Sequence, residues 1–152
     1  MSEQGMAAVG PLSHAVFRTA RLHKALVARL LRDSGLRPGQ ELVLMALWQD
    51  GPQRQVDLVT SLGSDAPTMA RSITRLERAG LVARRPSPTD RRAVIVEATP
   101  AALPLRAKVE HAWGELERLT AGALSAPRRA EILDALAALE ANLTAAETAV
   151  DS

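Results

Sequence analysis

The sequence contains no cysteine and no tyrosine, and its aromatic residues are Phe17, Trp48 and Trp113 alone. Without thiols there can be no disulfide, no thiolate metal site and no thiol redox switch. With so few aromatics, the core has to be built from Leu, Val, Ile and Ala, the usual filling of packed helices. The three histidines, His14, His23 and His111, are scattered and form no compact set of metal ligands. Signatures of catalysis are missing as well: there is no Walker loop, no Gly-x-Gly-x-x-Gly after a strand, no Gly-x-Ser-x-Gly elbow and no His-Glu-x-x-His. The chain is therefore expected not to be an enzyme, with no catalytic residues, no metal and no cofactor. No stretch approaches the ~18 consecutive apolar residues of a membrane span, and no positive segment followed by an apolar run opens the chain. A soluble, cytoplasmic protein with no membrane partner is expected. No repeat of roughly 20–50 residues is visible, which argues against solenoids.

What is present is a chain of 152 residues, 47% apolar, with a formal charge of only +2. The distribution of that charge says more than its sum. Residues 1–70 hold 7 basic and 6 acidic side chains, residues 71–96 hold 7 basic (all Arg) and 2 acidic, and residues 97–152 hold 5 basic and 9 acidic. A near-neutral protein with one concentrated arginine segment is suited to meet a polyanion at one place.

Hydrophobic periodicity predicts a mainly helical chain. Residues 1–11 read as irregular. A first helix over 12–32 follows Val16, Ala20, Leu26, Val27, Leu30 and Leu31, and Ser34-Gly35 stops it. A second helix, opened by Pro38-Gly39, is apolar on nearly every side from Leu42 to Trp48 and should be buried. A short helix over 55–62 is expected to turn Val56, Val59 and Leu62 inward, with Gly63 closing it. Asp65 is a good N-cap for the next helix, over 66–78, with Met69, Ile73 and Leu76 inward and Thr68, Arg71, Ser72 and Arg75 on the other face. Two short helices joined across Gly63-Ser64-Asp65 make a helix-turn-helix. Residues 81–85 and 92–98 then alternate as strands around Pro86-Ser87-Pro88-Thr89-Asp90, which predicts a hairpin. Beyond Thr99-Pro100, a helix settling in near Pro104 carries the stripe Leu105, Val109, Ala112, Trp113, Leu116 and Leu119. After Ser125-Ala126-Pro127, a last helix carries Ile132, Leu136, Leu139 and Leu143, a narrow seam suited to another helix, including one from a second subunit.

This order of elements resembles that of the MarR family of bacterial regulators. The run MARSITRLERAGLVARRPSPTDRRAVIVEAT, residues 69–99, carries the resemblance, chiefly through Leu76-Glu77-Arg78-Ala79-Gly80-Leu81-Val82 and Asp90-Arg91-Arg92. The resemblance implies a mainly α fold with a small β-hairpin wing: a winged helix-turn-helix over 35–99, flanked by dimerisation helices over 1–34 and 100–152 in one continuous domain. It implies a homodimer on double-stranded DNA, most often as a repressor. Thr68, Arg71, Ser72 and Arg75 would then enter the major groove, where hydroxyls and guanidiniums reach phosphates and guanine acceptors. Arg92 at the wing tip would enter the minor groove, beside Arg91, with Asp90 pairing to a nearby arginine and holding the tip. Either Arg84 or Arg85, not both, would reach phosphate.

Three departures from the family pattern matter. Ala70 stands where Ser or Thr is frequent, which removes one polar contact and bears on operator preference. Ala102 stands where Gly is frequent, at the joint between wing and following helix. The lack of cysteine excludes the peroxide sensing practised by one branch of the family. Members commonly bind a small aromatic or phenolic anion between the dimerisation helices and the DNA-binding lobe. That implies an effector site among His14, Arg18, Met45, Trp48, His111 and Trp113, although the tryptophans serve equally well as core. The same fold could instead serve a protein partner. Seven arginines in the segment 71–96 favour DNA.

Overall fold

The computed structural model describes residues 3–151. The helices are α1 (Glu3–Val9), α2 (Pro11–Leu30), α3 (Gln40–Asp50), α4 (Gln55–Ser61), α5 (Ala66–Arg78), α6 (Leu103–Ala121) and α7 (Ala126–Val150). The strands are β1 (Gln53–Arg54), β2 (Val82–Pro86) and β3 (Val94–Ala98), and short 3-10 turns cover Arg32–Ser34 and Pro100–Ala102. The N-terminal stretch expected to be irregular is helical from Glu3; Met1 and Ser2 lie outside the described residues.

The chain divides into two compact units, one reaching to Leu116 and the other starting at Glu117, so α6 runs through the boundary. The core belongs to the first unit. It gathers Val27 and Leu31 from the end of α2, Val43, Leu44 and Leu47 from α3, Leu58, then Met69, Ile73 and Leu76 from α5, Val82 and Val96 from the sheet, and Val109, Ala112 and Leu116 from α6. No aromatic side chain is fully buried in it. As its continuous apolar run implied, α3 shows no exposed side chain between Gln40 and Trp48. The earlier part of α2, up to Leu22, is different: Leu12, Val16, Phe17 and Leu22 are all exposed. Leu119, expected inward, is exposed too, because the core ends one helical turn earlier at Leu116.

Inward residues of α4 also differ from expectation. Leu58 is fully buried, Val59 and Leu62 pack partly against the core, and Val56 is 58% exposed. At about 100° per residue, positions 58, 59 and 62 share one arc of about 100°, and position 56 falls outside it, about 60° beyond position 59. The phase is set upstream, where β1 pairs antiparallel with β3 (Gln53 opposite Val96) and Gln53 Nε2 donates to the Ala46 carbonyl at 3.1 Å. The expected two-stranded hairpin is thus a three-stranded antiparallel sheet in the order β1-β3-β2.

Glycine closes both helices of the helix-turn-helix by the same device. At Gly80 (φ 76°) the Gly80 and Leu81 amides donate to the Glu77 and Leu76 carbonyls, a Schellman motif that turns α5 into β2. Gly63 (φ 61°) repeats it, with the Gly63 and Ser64 amides donating to Thr60 and Val59. The joint around Ala102 is anchored by Thr99, whose hydroxyl donates to the Gly80 carbonyl at 2.6 Å and whose amide donates to Leu81. In the second unit α7 starts from a Ser125 N-cap, and Leu133, Leu136 and Leu143 stand exposed along it. Among the described residues no helix is long and apolar enough to cross a membrane.

Candidate nucleic-acid interface

The recognition helix α5 is strongly two-sided. Met69, Ile73 and Leu76 are buried at spacings of four and three, and Thr68, Arg71 and Arg75 are exposed, with Ser72 half-buried beside them. Its first turn is held by Asp65, whose carboxylate accepts the Thr68 amide and the Thr68 hydroxyl, both at 2.8 Å. Those two bonds, the amide first, hold the Asp65 carboxyl below the usual carboxylate range. Arg71 Nη2 donates in turn to the Thr68 hydroxyl at 3.2 Å. Asp65, Thr68 and Arg71 therefore form one chain of hydrogen bonds along the leading edge of α5, leaving Arg75 one turn further on.

The wing follows directly. Its tip is closed by Ser87, whose hydroxyl accepts the Thr89 and Asp90 amides, and by the Ser87 amide donating to Ala93 at 3.0 Å. Asp90 does hold the tip, though not through a guanidinium: its Oδ1 accepts the backbone amide of Arg92 at 3.0 Å. That is an Asx-turn, the local bond a short carboxylate makes two residues on. Arg91 and Arg92 are left exposed at the turn.

Arg84 and Arg85 are treated differently by their surroundings. Arg84 Nη2 donates to Thr74 Oγ1 at 3.0 Å and to Glu77 Oε1 at 3.1 Å, and its amide donates to Glu77 Oε2. The pairing with Arg84 holds the Glu77 carboxyl below its ordinary range. Arg84 thus straps β2 to the last turns of α5. Arg85 keeps a looser 3.7 Å contact with Glu97 across the sheet. Thr74 and Glu77 escaped the reading of the sequence: Glu77 was visible as part of the Leu-Glu-x-x-Gly run, but its partner lies seven residues away on another element. Arg54, which grips Asp57 through Nε at 2.9 Å and Nη2 at 3.0 Å, was missed as well.

The six residues expected around an effector are dispersed over three helices. Met45 and Trp48 on α3 and Trp113 on α6 pack against the core, His14 is half-buried and Arg18 exposed on α2, and His111 is exposed on α6. Trp113 is the notable member, because its indole Nε1 is buried and has no hydrogen-bond partner among the described residues. Among the described residues no group of three His, Asp or Glu side chains could hold a metal ion.

A helix-turn-helix followed by an antiparallel hairpin against the recognition helix defines a winged-helix protein. The model of the MarR family matches residues 36–94, from the loop before α3 to the first residue of β3. Solved structures agree over most of the chain. A cysteine-to-serine mutant of MarR from E. coli in complex with operator DNA has a TM-score of 0.82 at 22% identity, over 88% of this chain and 96% of that one. BpsR from Bordetella bronchiseptica, whose DNA binding is regulated by 6-hydroxynicotinic acid, has a TM-score of 0.78 at 29% identity, over 86% and 98%. A MarR transcriptional regulator from Methanosarcina mazei Go1 reaches 0.76 at 24% identity, over 86% and 94%. The chain is thus similar to the MarR family over residues 36–94, and to solved structures of MarR regulators in its fold.

Proposed function

We propose that the chain is a transcriptional regulator that binds a pseudo-palindromic operator as a homodimer and releases it in response to a small aromatic acid. One observation carries the reading: a capped recognition helix with Arg71 and Arg75 exposed stands beside a wing whose tip leaves Arg91 and Arg92 exposed. In a two-fold dimer, two such helices enter successive major grooves about 34 Å apart. Thr68, Arg71, Ser72 and Arg75 face the groove. Thr68 must exchange part of its bond to Asp65 for DNA, whereas Arg75 reaches the bases with no such exchange. Arg92 follows the minor groove, and Arg85 and Arg91 lie toward phosphate. Asp90 acts indirectly, by fixing the turn that carries Arg92. Repression is the action proposed, since a dimer seated on an operator obstructs polymerase without needing further contacts.

The exposed apolar residues of α2 (residues 11–30) and of α7 support dimerisation, and residues 1–34 and 100–152 are proposed to supply that surface. The effector reading is supported by BpsR and by the buried, unpartnered indole N–H of Trp113, a donor that an aromatic carboxylate could satisfy with Met45 and Trp48 as apolar neighbours. His14, Arg18 and His111 are proposed to complete that site from α2 and α6.

The test is anisotropy of a labelled random duplex pool at two salt concentrations, with bound sequences recovered and read. Salt-sensitive binding that enriches a palindrome is expected. Absence of binding even at low salt would transfer the fold to a protein partner and remove the operator reading.

A further inference from the structure

A threonine hydroxyl can donate or accept, and at Thr68 its neighbours decide which. Asp65 accepts the Thr68 amide at Oδ1 and the Thr68 hydroxyl at Oδ2, both at 2.8 Å. The amide first, and then the hydroxyl, hold the Asp65 carboxyl below the usual carboxylate range, so at neutral pH it is ionised and only accepts. Arg71 is a cation with donors only, and its Nη2 donates to the same hydroxyl oxygen at 3.2 Å. The single hydroxyl proton of Thr68 is therefore committed to Asp65, and one of the oxygen's two lone pairs to Arg71. What Thr68 has left for a ligand is the other lone pair. A bond donated to DNA costs Thr68 its bond to Asp65, the exchange described above; a bond accepted from DNA does not. Asp65, Thr68 and Arg71 are all exposed, so the arrangement is open to the groove.

Resting on the operator reading above, we infer that Asp65 is a positioning residue that makes Thr68 an acceptor, and that Thr68 and Arg71 together read one G·C pair. Guanine lies under Arg71 and cytosine under Thr68. In the major groove a G·C pair presents two acceptors, guanine N7 and O6, and then the cytosine N4 amino donor. The arginine fork and the Thr68 oxygen present two donors and then one acceptor, in the matching order. The spacing fits as well. Nη2 and Oγ1 are 3.2 Å apart, and O6 and N4, hydrogen-bonded to each other within the pair, are about 2.9 Å apart. Nη2 takes O6 with its second hydrogen while Thr68 accepts from N4. The other pairs fit less well. T·A, with thymine under Arg71, keeps an acceptor at O4 and a donor at adenine N6, but sets the thymine methyl against the rest of the fork. A·T opposes donor to donor at Nη2, and both A·T and C·G set an acceptor against Oγ1. A freely rotating hydroxyl would serve any of the four pairs at that atom, whereas one fixed by Asp65 discriminates.

The experiment uses the full chain and the operator recovered from the random pool. All four base pairs are placed in turn at each half-site position, and affinity is measured for the parent, Arg71→Ala, Thr68→Val and Asp65→Asn. The position whose preference collapses in Arg71→Ala is the one Arg71 reads. There the parent is expected to favour G·C by about tenfold, with T·A the best of the other three. The cytosine of that pair is then replaced by 2-pyrimidinone, which lacks the N4 amino group. The parent should lose about fivefold, the scale of one neutral hydrogen bond. Thr68→Val should lose nothing further on this replacement. Neither should Asp65→Asn, whose carboxamide nitrogen donates to the Thr68 oxygen and turns the hydroxyl proton outward. Because asparagine still accepts the Thr68 amide and caps the helix, a merely structural Asp65 predicts that this variant responds to the replacement as the parent does. The inference fails if either variant does so, if the parent binds both operators equally well, or if the position read by Arg71 prefers another pair. Each of these outcomes is read on a protein that binds its operator, so the operator reading survives them; a parent that binds no duplex removes both.

Discussion

Single residues in this protein are distinguished less by type than by what already holds them. Of the seven arginines in 71–96, Arg84 is committed to Thr74 and Glu77, and Arg71 shares the Thr68 hydroxyl. Arg84 therefore acts as a strap that fixes the angle of the wing, and its replacement should separate strap from phosphate contact. Arg84→Ala is expected to weaken duplex binding while the slope of affinity against salt stays unchanged. A phosphate contact would lower that slope by about one. Binding isotherms at four salt concentrations would show which happens. Because burial raises the Glu41 carboxyl above its ordinary value, Glu41 acts on stability in the opposite sense to Asp65 and Glu77. Between its ordinary pKa and the raised one the folded form holds the proton more readily than the unfolded chain, so its contribution is fully present below the ordinary carboxylate pKa and declines as pH rises through the raised one. Glu41→Gln keeps an acceptor for the Gly39 amide, which Glu41 Oε2 takes at 2.8 Å, and removes the charge. Thermal melts should show the variant more stable than the parent at pH 7, with the gap closing as the pH falls toward the ordinary carboxylate range. A gap that is constant with pH would mean that Glu41 stays ionised throughout. Neither the Glu77 partnership nor the burial of Glu41 was legible beforehand. Both depend on which elements come together, and a charged residue in the first turn of a helix reads as solvated until its surroundings are known.

At the scale of elements, the sequence was most informative where a side chain or a missing side chain closes a helix locally. Asp65, Gly63, Gly80 and Ser125 announced their boundaries because capping is a bond between neighbours, settled within about four residues. The recognition helix was legible in length, inward face and cap for the same reason. Three elements were not. The two-residue strand β1, Gln-Arg, shows no alternation and owes its form to pairing with β3. The helix α1 is short and contains Gly5, a combination that argues for irregular chain. In α4, seven residues span only two turns, so Val56 and Leu58 compete for the inward position with nothing local to choose between them. The cap of α5 offers a direct test of how far the element depends on one bond network. Asp65→Ala removes the acceptor of both the Thr68 amide and its hydroxyl, and should lower the midpoint of urea unfolding. Asp65→Asn, which keeps an acceptor, should recover most of it. A loss in the alanine variant that asparagine does not restore would assign the effect to the charge of Asp65 and not to its bond with Thr68. The parent's advantage over the alanine variant should also fade in acid: the lowered carboxyl contributes above the unfolded value and is lost as pH falls through the folded one.

For the whole molecule, charge and apolar surface are arranged in separate territories. The arginine-rich segment 71–96 forms the recognition helix and wing, while the acidic excess lies in 97–152. The apolar excess is at the ends of the chain. Phe17 is 63% exposed and Leu22 62% in α2, and Leu136 is 53% and Leu143 64% in α7. A monomer leaving such residues in water would gain by covering them, at about 25 cal/mol for each square ångström of apolar surface removed. In the proposed dimer a second copy of the chain would cover them and would present two recognition helices to a palindrome. Leu136 and Leu143, seven apart, occupy one seam, and a charge at both positions should oppose closure without touching the core of the first unit. The double variant Leu136→Glu, Leu143→Glu is accordingly expected to sediment as a monomer where the parent sediments as a dimer. Its melting temperature should no longer rise with protein concentration, since only a dimer is stabilised by mass action. On an operator it should bind each half-site independently, with a salt slope about half that of the parent because half as many phosphates are neutralised in one event. A double variant that still sediments as a dimer would move the interface off α7 and leave α2 to carry it, whereas a parent that sediments as a monomer at micromolar concentration would remove the dimer itself.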